Sequence, residues 1–515
     1  MIYSWLRKSA VIVLVLAFVL AGSSALQAED TLVIGQQAEA PGLHTLMETD
    51  VYAFERINLI NEPLMVINRD LDLDPGLATD WEVSEDATRI DVELREGVQW
   101  HHGREFTAED VKYTYEWILD EENPAENRDL YEPIEEIEIV DDHELVFHLE
   151  EPNAFLTNNM ARVGIVPHDY HEEVGYEEFG QEPVGTGPYV HEEWVDDDYH
   201  LMSANEDYWD GEPNFSEIEF RPIIEASSRL LAFEAGEIDM FHGDVVPEEL
   251  ERLEEDPDFN VSRASSPSYT YIGMNQETTE NPDVIQDIDF RRAVAHALNR
   301  EGIVEHVLQG MGEPGRSPII PEMAHFNDEI DYPEYDMEKA QEYIEQSDVS
   351  EGDEVNIYVS EGDTVMQIAE IMEYELSELG INVNVQVEEW GAFLDRVYDT
   401  DEYDMFVMGW AGQVDPDRAT YRQFHSEGAA NHTNFANERM DELLEEGRRH
   451  DTGSEESIEI YQEVQEILLE EHPKVYIDYG EEVAVAHPEF EGFEVHSYEP
   501  NTWLQLVNEV ERVEE

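Results

Sequence analysis

The chain has 515 residues, of which 41% are hydrophobic and 10% aromatic, enough for buried cores in two or three domains. Asp and Glu number 125 against 27 Lys and Arg, and the net charge of −98 excludes nucleic acid and anionic membranes as partners because such a surface repels them. The absence of Cys excludes disulfides, thiolate chemistry and a lipid anchor on an N-terminal Cys.

The N-terminus predicts an export signal. Arg7 and Lys8 precede an apolar run of 12 residues, 10–21, and small residues follow, with cleavage expected after Ala25 or Ala28. This run is too short to cross a bilayer core of about 30 Å as a helix. We therefore expect residues 1–28 to be removed and the mature protein to be soluble and periplasmic. An uncleaved membrane anchor is the alternative.

The first half of the chain mixes strands with helices. The predicted elements are a strand at 31–35, a helix near 51–60, antiparallel strands within 80–98, and a strand over 145–149. Between these strands, Thr107 and Asp110 have the spacing of a helix cap, which predicts that a helix begins there.

The second half alternates strand and helix more regularly. We predict strands at 355–359, 381–387 and 405–408, with helices at 364–379 and 393–398 between them. This order is half of a doubly wound α/β sheet, in which ligands bind beyond the carboxyl ends of the strands. The loop from Gly409 to Pro416 is therefore a candidate site.

Motifs for catalysis or cofactor binding are not found in the sequence. It lacks a zinc-protease HExxH, a Gly-x-Ser-x-Gly nucleophile elbow and a phosphate-binding loop ending in Lys. The stretch from Asp70 resembles a calcium loop, but Pro75 and Trp81 stand where Gly and Glu are required. We expect no enzyme activity, no metal and no cofactor. The competing classes are a secreted hydrolase with paired carboxylates and a periplasmic chaperone.

Four ordered blocks of motifs resemble the extracellular solute-binding proteins of family 5, the peptide, nickel and oligosaccharide binders of ABC importers. The resemblance covers nearly all of the mature chain. The blocks are Asn61-Glu62-Pro63-Leu64 with 75–81, 94–98 and 107–111; Pro183 to Tyr189 with 205–211 and 236–239; 289–294 with 297–300; and Gly409-Trp410 with Asp415-Pro416 and 440–444.

The resemblance implies an α/β, two-lobed periplasmic-binding-protein fold of the large, cluster-C type, with ligand enclosed between the lobes. It implies a lobe I core of 29–65, 185–262 and 482–515, a subdomain of 66–184 inserted in lobe I, and a lobe II of 263–481. Segments 262–271 and 476–485 would cross between the lobes. The expected partners are a small solute or peptide and the permease subunits of an ABC transporter, and the expected state is a monomer.

The ligand itself is less determined by the sequence. Peptide-binding relatives commonly have Asp three residues after the Trp of Gly-Trp, but Gln413 stands here. A buried ammonium without an anionic partner is costly. We expect a short peptide, with an oligosaccharide or another neutral solute and a metal chelate as alternatives. The residues predicted to contact ligand are Trp410, Gln413, Asp415, Trp390, Tyr269, Tyr271 and His44.

The acidic residues are spread along the chain, which predicts a protein adapted to high salt; an acidic protein from an ordinary environment is the alternative. Folding brings the charges of the −98 excess together. The distance over which their repulsion acts, the Debye length, is about 3 Å at 1 M salt and about 10 Å at 0.1 M. The repulsion is therefore stronger in dilute salt. We predict cooperative loss of structure when salt is diluted well below ~0.5 M. Circular dichroism during dialysis measures it, and a melting temperature unchanged from dilute buffer to molar salt would contradict it.

Overall fold

The computed structural model describes residues 31–513 except 70, 126, 244, 246, 401, 411–413, 507 and 508. The predicted export signal lies outside the described residues. Within the described part of the chain, no helix combines the length and the apolar character that crossing a membrane requires.

The strands fall into one large sheet and three small ones. In chain order they are β1 (Thr31–Gln36), β2 (Met65–Ile67), β3 (Leu73–Pro75), β4 (Ala78–Val83), β5 (Arg89–Leu94), β6 (Ile134–Asp141), β7 (Glu144–Leu149), β8 (Tyr189–Val195), β9 (Tyr199–Ala204), β10 (Glu217–Pro222), β11 (Met240–His242), β12 (Asn260–Met274), β13 (Glu313–Pro314), β14 (Glu354–Ser360), β15 (Asn382–Glu388), β16 (Met405–Trp410), β17 (Lys474–Ala486), β18 (Phe490–Glu491) and β19 (Glu511–Arg512).

The helices lie mostly between strands of the large sheet. They are α1 (Val51–Ile57), α2 (Ala108–Leu119), α3 (Leu156–Asn159), α4 (His168–Val174), α5 (Tyr176–Phe179), α6 (Ala226–Glu234), α7 (Pro247–Glu255), α8 (Pro282–Ile285), α9 (Ile288–Ala297), α10 (Arg300–His306), α11 (Met337–Gln346), α12 (Asp363–Glu378), α13 (Trp390–Asp399), α14 (Pro416–Phe424), α15 (Glu438–Gly447) and α16 (Glu455–Glu471), with 3₁₀ turns at Arg128–Leu130 and Glu499–Leu506.

The large sheet has the strand order β15-β14-β16-β12-β17-β11-β1-β10-β9-β8, with β13 paired to β17. At one end, β14 is parallel to both β15 and β16. The prediction of a strand–helix–strand–helix–strand unit in the second half is thus confirmed, as is the α/β fold class. The helix predicted at 393–398 begins earlier, at Trp390, because the Glu389 side chain accepts hydrogen bonds from the amides of Gly391 and Ala392 and caps it.

Two long antiparallel strands, β12 and β17, connect the two ends of the large sheet. Their register runs from Asn260 opposite Ala486 to Gly273 opposite Lys474. The register shifts between Ser265 and Tyr269, on either side of Pro267, because proline has no N–H to donate to the ladder. Both segments that the resemblance implied as crossings lie within these strands; the lobe boundaries themselves stay a prediction.

A separate antiparallel sheet, β4-β5-β7-β6, lies in the first half of the chain. Helix α2 contacts β6 of this sheet. The helix begins as predicted, since the N–H of Thr107 donates to the carboxylate of Asp110 at 3.1 Å. The hydrophobic core of this unit continues into the α14–α16 region, so that Phe155 and Tyr461 belong to one buried cluster.

Two buried histidines lie next to α2. The Nε2 atoms of His44 and His171 are 3.0 Å apart, and His171 Nδ1 lies 2.8 Å from the Tyr113 hydroxyl. The amide of Leu46 donates to His44 Nδ1 at 3.2 Å, so His44 must donate from Nε2 and His171 must accept there. Burial is the main cause that lowers the pKa of His44 to about 3 and that of His171 to about 4. Both rings are therefore neutral in the folded protein.

This pair predicts an acid-sensitive fold. Both pKa values are depressed from 6.5, so the unfolded chain binds more protons below pH 6.5 and stability falls as pH decreases toward 4. The free energy of unfolding falls by about 1.4 kcal/mol per pH unit for each ring. We expect His171→Gln to reduce the slope of unfolding free energy against pH between 6.5 and 4.5 by up to about 1.4 kcal/mol per pH unit, measured by denaturant titration in high salt.

The exposed His306 provides the matched control, since its side chain is 74% exposed. His306→Gln should leave the slope unchanged. An equal slope in His171→Gln and the unmodified protein would show that the buried pair does not control the acid response.

Candidate functional site

The carboxyl ends of β14, β15 and β16 form one edge of the large sheet because these strands are parallel. Trp410 ends β16 and is half-buried. Trp390 begins α13, just after β15, and is 52% exposed, with its ring stacked on Phe393 at 5.8 Å. Both tryptophans thus lie at the sheet edge where we expect the ligand to bind.

Tyr269 and Tyr271 lie on β12 opposite Trp410 and Met408, respectively. Both are buried, with ring centroids 5.9 Å apart. The Tyr269 hydroxyl accepts a hydrogen bond from Gln423 Nε2 at 2.8 Å. In this structure the two tyrosines pack within the protein, directly behind Trp410.

Lys474, which sequence reasoning missed, is buried among these aromatic side chains. Its Nζ lies 4.0 Å from the centroid of Tyr271, 5.0 Å from Phe424 and 5.6 Å from Trp410. It donates a hydrogen bond to Gln423 Oε1. Burial holds the pKa of this amine well below its usual range. The one signal in the sequence is the rarity of lysine, since only four occur.

Three polar atoms near this lysine lack a hydrogen-bond partner among the described residues. They are Trp410 Nε1, the Tyr271 hydroxyl and the Tyr476 hydroxyl, all buried. Unpaired buried polar groups are costly, so they are available to a ligand or to water. The neighbouring loop 411–413, which includes Gln413, lies outside the described residues.

Asp415 caps α14. Its Oδ1 accepts from the amides of Asp417 at 2.8 Å and Arg418 at 3.1 Å, and Pro416 follows at the first helical position. Its Oδ2 is buried without a partner in the described part of the chain. Burial, with a smaller contribution from the Asp417 charge, raises the pKa of Asp415 to about 7. The residue caps α14 and also lines a cavity.

That cavity has a volume of about 290 Å³ and lies between the small-sheet unit and the α14–α16 region. One side is formed by Asp129, Leu130, Pro133, Asn153, Phe155 and Asn159, and the other by Asp415, Asp417, Arg418, Tyr421, Arg422, Glu427, Gly428, Ala429 and Arg448. It is therefore lined by both of the parts that the sequence predicted to enclose a ligand.

Direct contacts cross next to this cavity. The amide of Ala154 donates to the Arg448 carbonyl at 2.8 Å, and Thr452 Oγ1 donates to Asn158 Oδ1 at 3.1 Å. The rings of Phe155 and Tyr461 meet edge to face at 5.7 Å. These contacts join the two sides of the cavity.

A bidentate ion pair supports one wall. Arg448 Nε and Nη2 donate to the two carboxylate oxygens of Asp417 at 2.9 and 3.0 Å. The Arg448 guanidinium also lies 3.3 Å from the centroid of the Tyr421 ring. These contacts hold Arg448 in place, and the backbone carbonyl of Arg448 accepts the hydrogen bond from the Ala154 amide.

His44, also predicted to contact ligand, lies in the buried histidine pair next to α2, and its ring packs against Trp117 and Phe179. It does not line the 290 Å³ cavity. Its role as a ligand contact stays a prediction. Among the described residues, no group of three or more His, Asp or Glu side chains is arranged to hold a metal ion.

The chain is similar in sequence to known binding proteins. The "Oligopeptide-binding protein AppA" of Bacillus subtilis is 26% identical over 491 residues, 90% of this chain and 89% of that protein. The "Dipeptide-binding protein" of Escherichia coli is 25% identical over 524 residues, 95% of this chain and 97% of that protein.

Solved structures share the fold. HbpA2 from Haemophilus parasuis superposes with a TM-score of 0.86 at 22% identity, covering 94% of this chain and 100% of that one. AppA of B. subtilis in complex with a nonapeptide has a TM-score of 0.72 at 25% identity, covering 94% and 99%. The family model for bacterial extracellular solute-binding proteins, family 5 Middle, matches residues 72–431. With a match over most of its length, the chain belongs to the bacterial extracellular solute-binding proteins of family 5.

Proposed function

We propose that this protein is the substrate-binding component of an ABC importer and that it captures a short peptide between two lobes and delivers it to a membrane permease. The observation that carries the proposal is the 290 Å³ cavity lined from both sides, with hydrogen bonds crossing beside it. A cavity lined from one side by the small-sheet unit and from the other by the α14–α16 region is the geometry expected of a hinged clamp.

Peptide is favoured as the ligand because relatives that align over nearly the whole chain are named as oligopeptide- and dipeptide-binding proteins. The cavity combines apolar surface with charged and amide side chains, which offer acceptors and donors for peptide groups. The protein acts as a receptor without chemistry on its ligand, works as a monomer, and is exported after loss of residues 1–28.

We propose that the lobes have the boundaries that the family resemblance implies. The core of lobe I comprises 29–65, 185–262 and 482–515, with 66–184 inserted, and lobe II comprises 263–481. Strands β12 and β17 are the two connections, and their pairing over both segments supports this division.

The ligand extends from the cavity toward the sheet edge at Trp410 and Trp390. Among the described residues, Trp410 Nε1, the Tyr271 hydroxyl and Asp415 Oδ2 have no hydrogen-bond partner, which supports this path. Gln413 stands where peptide-binding relatives commonly have Asp, so this position offers the ligand a neutral amide and not a carboxylate. Tyr269 acts by supporting the site, since it is buried and hydrogen-bonded within the protein.

The proposal predicts capture without turnover, accompanied by closure. Incubation with a pooled library of tri- to pentapeptides in high salt should give one intact peptide per protein by native mass spectrometry. Small-angle scattering of the same samples should show a smaller radius of gyration than the protein stripped of ligand by unfolding and refolding.

Three outcomes decide the matter. Cleaved peptides would favour the hydrolase, and capture of unfolded proteins in preference to short peptides would favour the chaperone. Binding with an unchanged radius of gyration would contradict the clamp.

A further inference from the structure

Another, smaller cavity lies where α10, α16 and β17 meet, and it shares no lining residue with the 290 Å³ cavity. Its volume is about 20 Å³, which is room for one water-sized particle. Four of its twelve lining residues are basic, namely Arg300, Arg316, His472 and Lys474, and none of these described residues is acidic. Since Asp and Glu account for 125 of the 515 residues, a lining without any acid is uncharacteristic of this chain and suits an anion.

Arg300 places a buried cation at this cavity. Its guanidinium donates to three backbone carbonyls, from Nε to Tyr476 at 2.7 Å and from Nη1 to Ala295 and Pro333 at 3.2 and 3.0 Å. Within the part of the chain that the structure describes, Nη2 makes no hydrogen bond and the side chain makes no ion pair. Burial lowers the pKa of Arg300 to about 10, against the charge of the adjacent, exposed Glu301. A buried cation whose partners are all neutral is costly, so an anion beside Nη2 stabilises it.

Arg316 lies where this cavity meets solvent, since it lines the cavity and is exposed. Its amide donates to the Tyr479 hydroxyl at 3.1 Å, which fixes the turn that carries it. Among the described residues, its guanidinium has neither a hydrogen-bond partner nor an ion pair. By contrast, Arg292, a neighbour of Arg300 on α9, pairs with Asp289 at 3.1 Å. The cavity thus has a second guanidinium with unused donors at its entrance.

His472 adds a neutral donor. It is the buried C-cap residue of α16, and its backbone amide donates to the Leu468 carbonyl at 2.9 Å. Burial, followed by the charge of Arg300, lowers the pKa of His472 to about 3, so the ring is neutral and carries one N–H. Lys474 is not a further donor to the cavity, because its amine donates to Gln423 Oε1. The available donors are therefore two guanidiniums and one imidazole.

We propose that this cavity binds one halide ion, normally chloride, between the guanidiniums of Arg300 and Arg316 and the imidazole of His472. A monatomic anion needs only N–H donors, and these three side chains supply them. A volume of about 20 Å³ admits one ion of nearly the size of water and excludes large organic anions such as gluconate. The ion stabilises the start of β17, because Arg300 also holds the Tyr476 carbonyl of that strand. The folded protein then depends on the identity of the salt as well as on its ionic strength, whatever solute it captures.

The test separates binding of the ion from screening. Thermal unfolding is followed by circular dichroism in about 2 M sodium gluconate, with bromide replacing gluconate stepwise so that the Debye length stays constant. The melting temperature should rise and then level off as bromide saturates the native protein. Arg316→Gln should weaken the apparent bromide affinity at least about tenfold, which corresponds to about 1.4 kcal/mol. Arg449→Gln is the matched control, since Arg449 is also exposed and also forms no ion pair within the described ranges, and it should leave the bromide affinity unchanged.

A melting temperature that is constant, or that changes linearly with bromide and never levels off, would overturn the halide site. The same bromide affinity in Arg316→Gln as in the unmodified protein would also overturn it. If Arg316→Gln fails to fold, anomalous scattering from bromide-soaked crystals of the unmodified protein provides the answer. A bromide peak beside Arg300 Nη2 supports the site, and a cavity without one refutes it.

Discussion

The antiparallel pairing of β12 and β17 is the constraint on which the rest of the structure depends. These strands run together from Asn260 opposite Ala486 to Gly273 opposite Lys474. One end of the pair joins β16 and the parallel unit, and the other joins β11 and β1. The proposed clamp requires this connection to bend, and the ladder is irregular around Pro267, where its register shifts.

The cavity lies away from these two strands, between the small-sheet unit and the α14–α16 region. Residues 153–159 of the small-sheet unit reach the α14–α16 region through one backbone hydrogen bond, two side-chain hydrogen bonds and one aromatic contact. Such a small set of contacts is worth only a few kcal/mol, which suits an arrangement that must open and close. A ligand that contacts both sides adds to this set and shifts the population toward the closed form.

Regular periodicity explains what the sequence could predict. The unit from β14 to β16 was recognisable because its apolar residues alternate in strands and repeat at helical spacing in α12, and the cap of α2 was recognisable from Thr107 and Asp110. His171 could not be matched to His44, since 127 positions separate them. The aromatic surroundings of Lys474 likewise come from β12, β16 and α14, and no local pattern records which strands become neighbours.

Hydrogen exchange at the Ala154 amide tests the clamp most directly, because this group donates across the cavity to Arg448. We expect bound peptide to slow exchange at residues 153–160 and 446–462, while the β5–β7 ladder of the small sheet exchanges at the same rate with and without peptide. Equal exchange at Ala154 in the bound and the ligand-stripped protein would contradict closure around a ligand at this cavity.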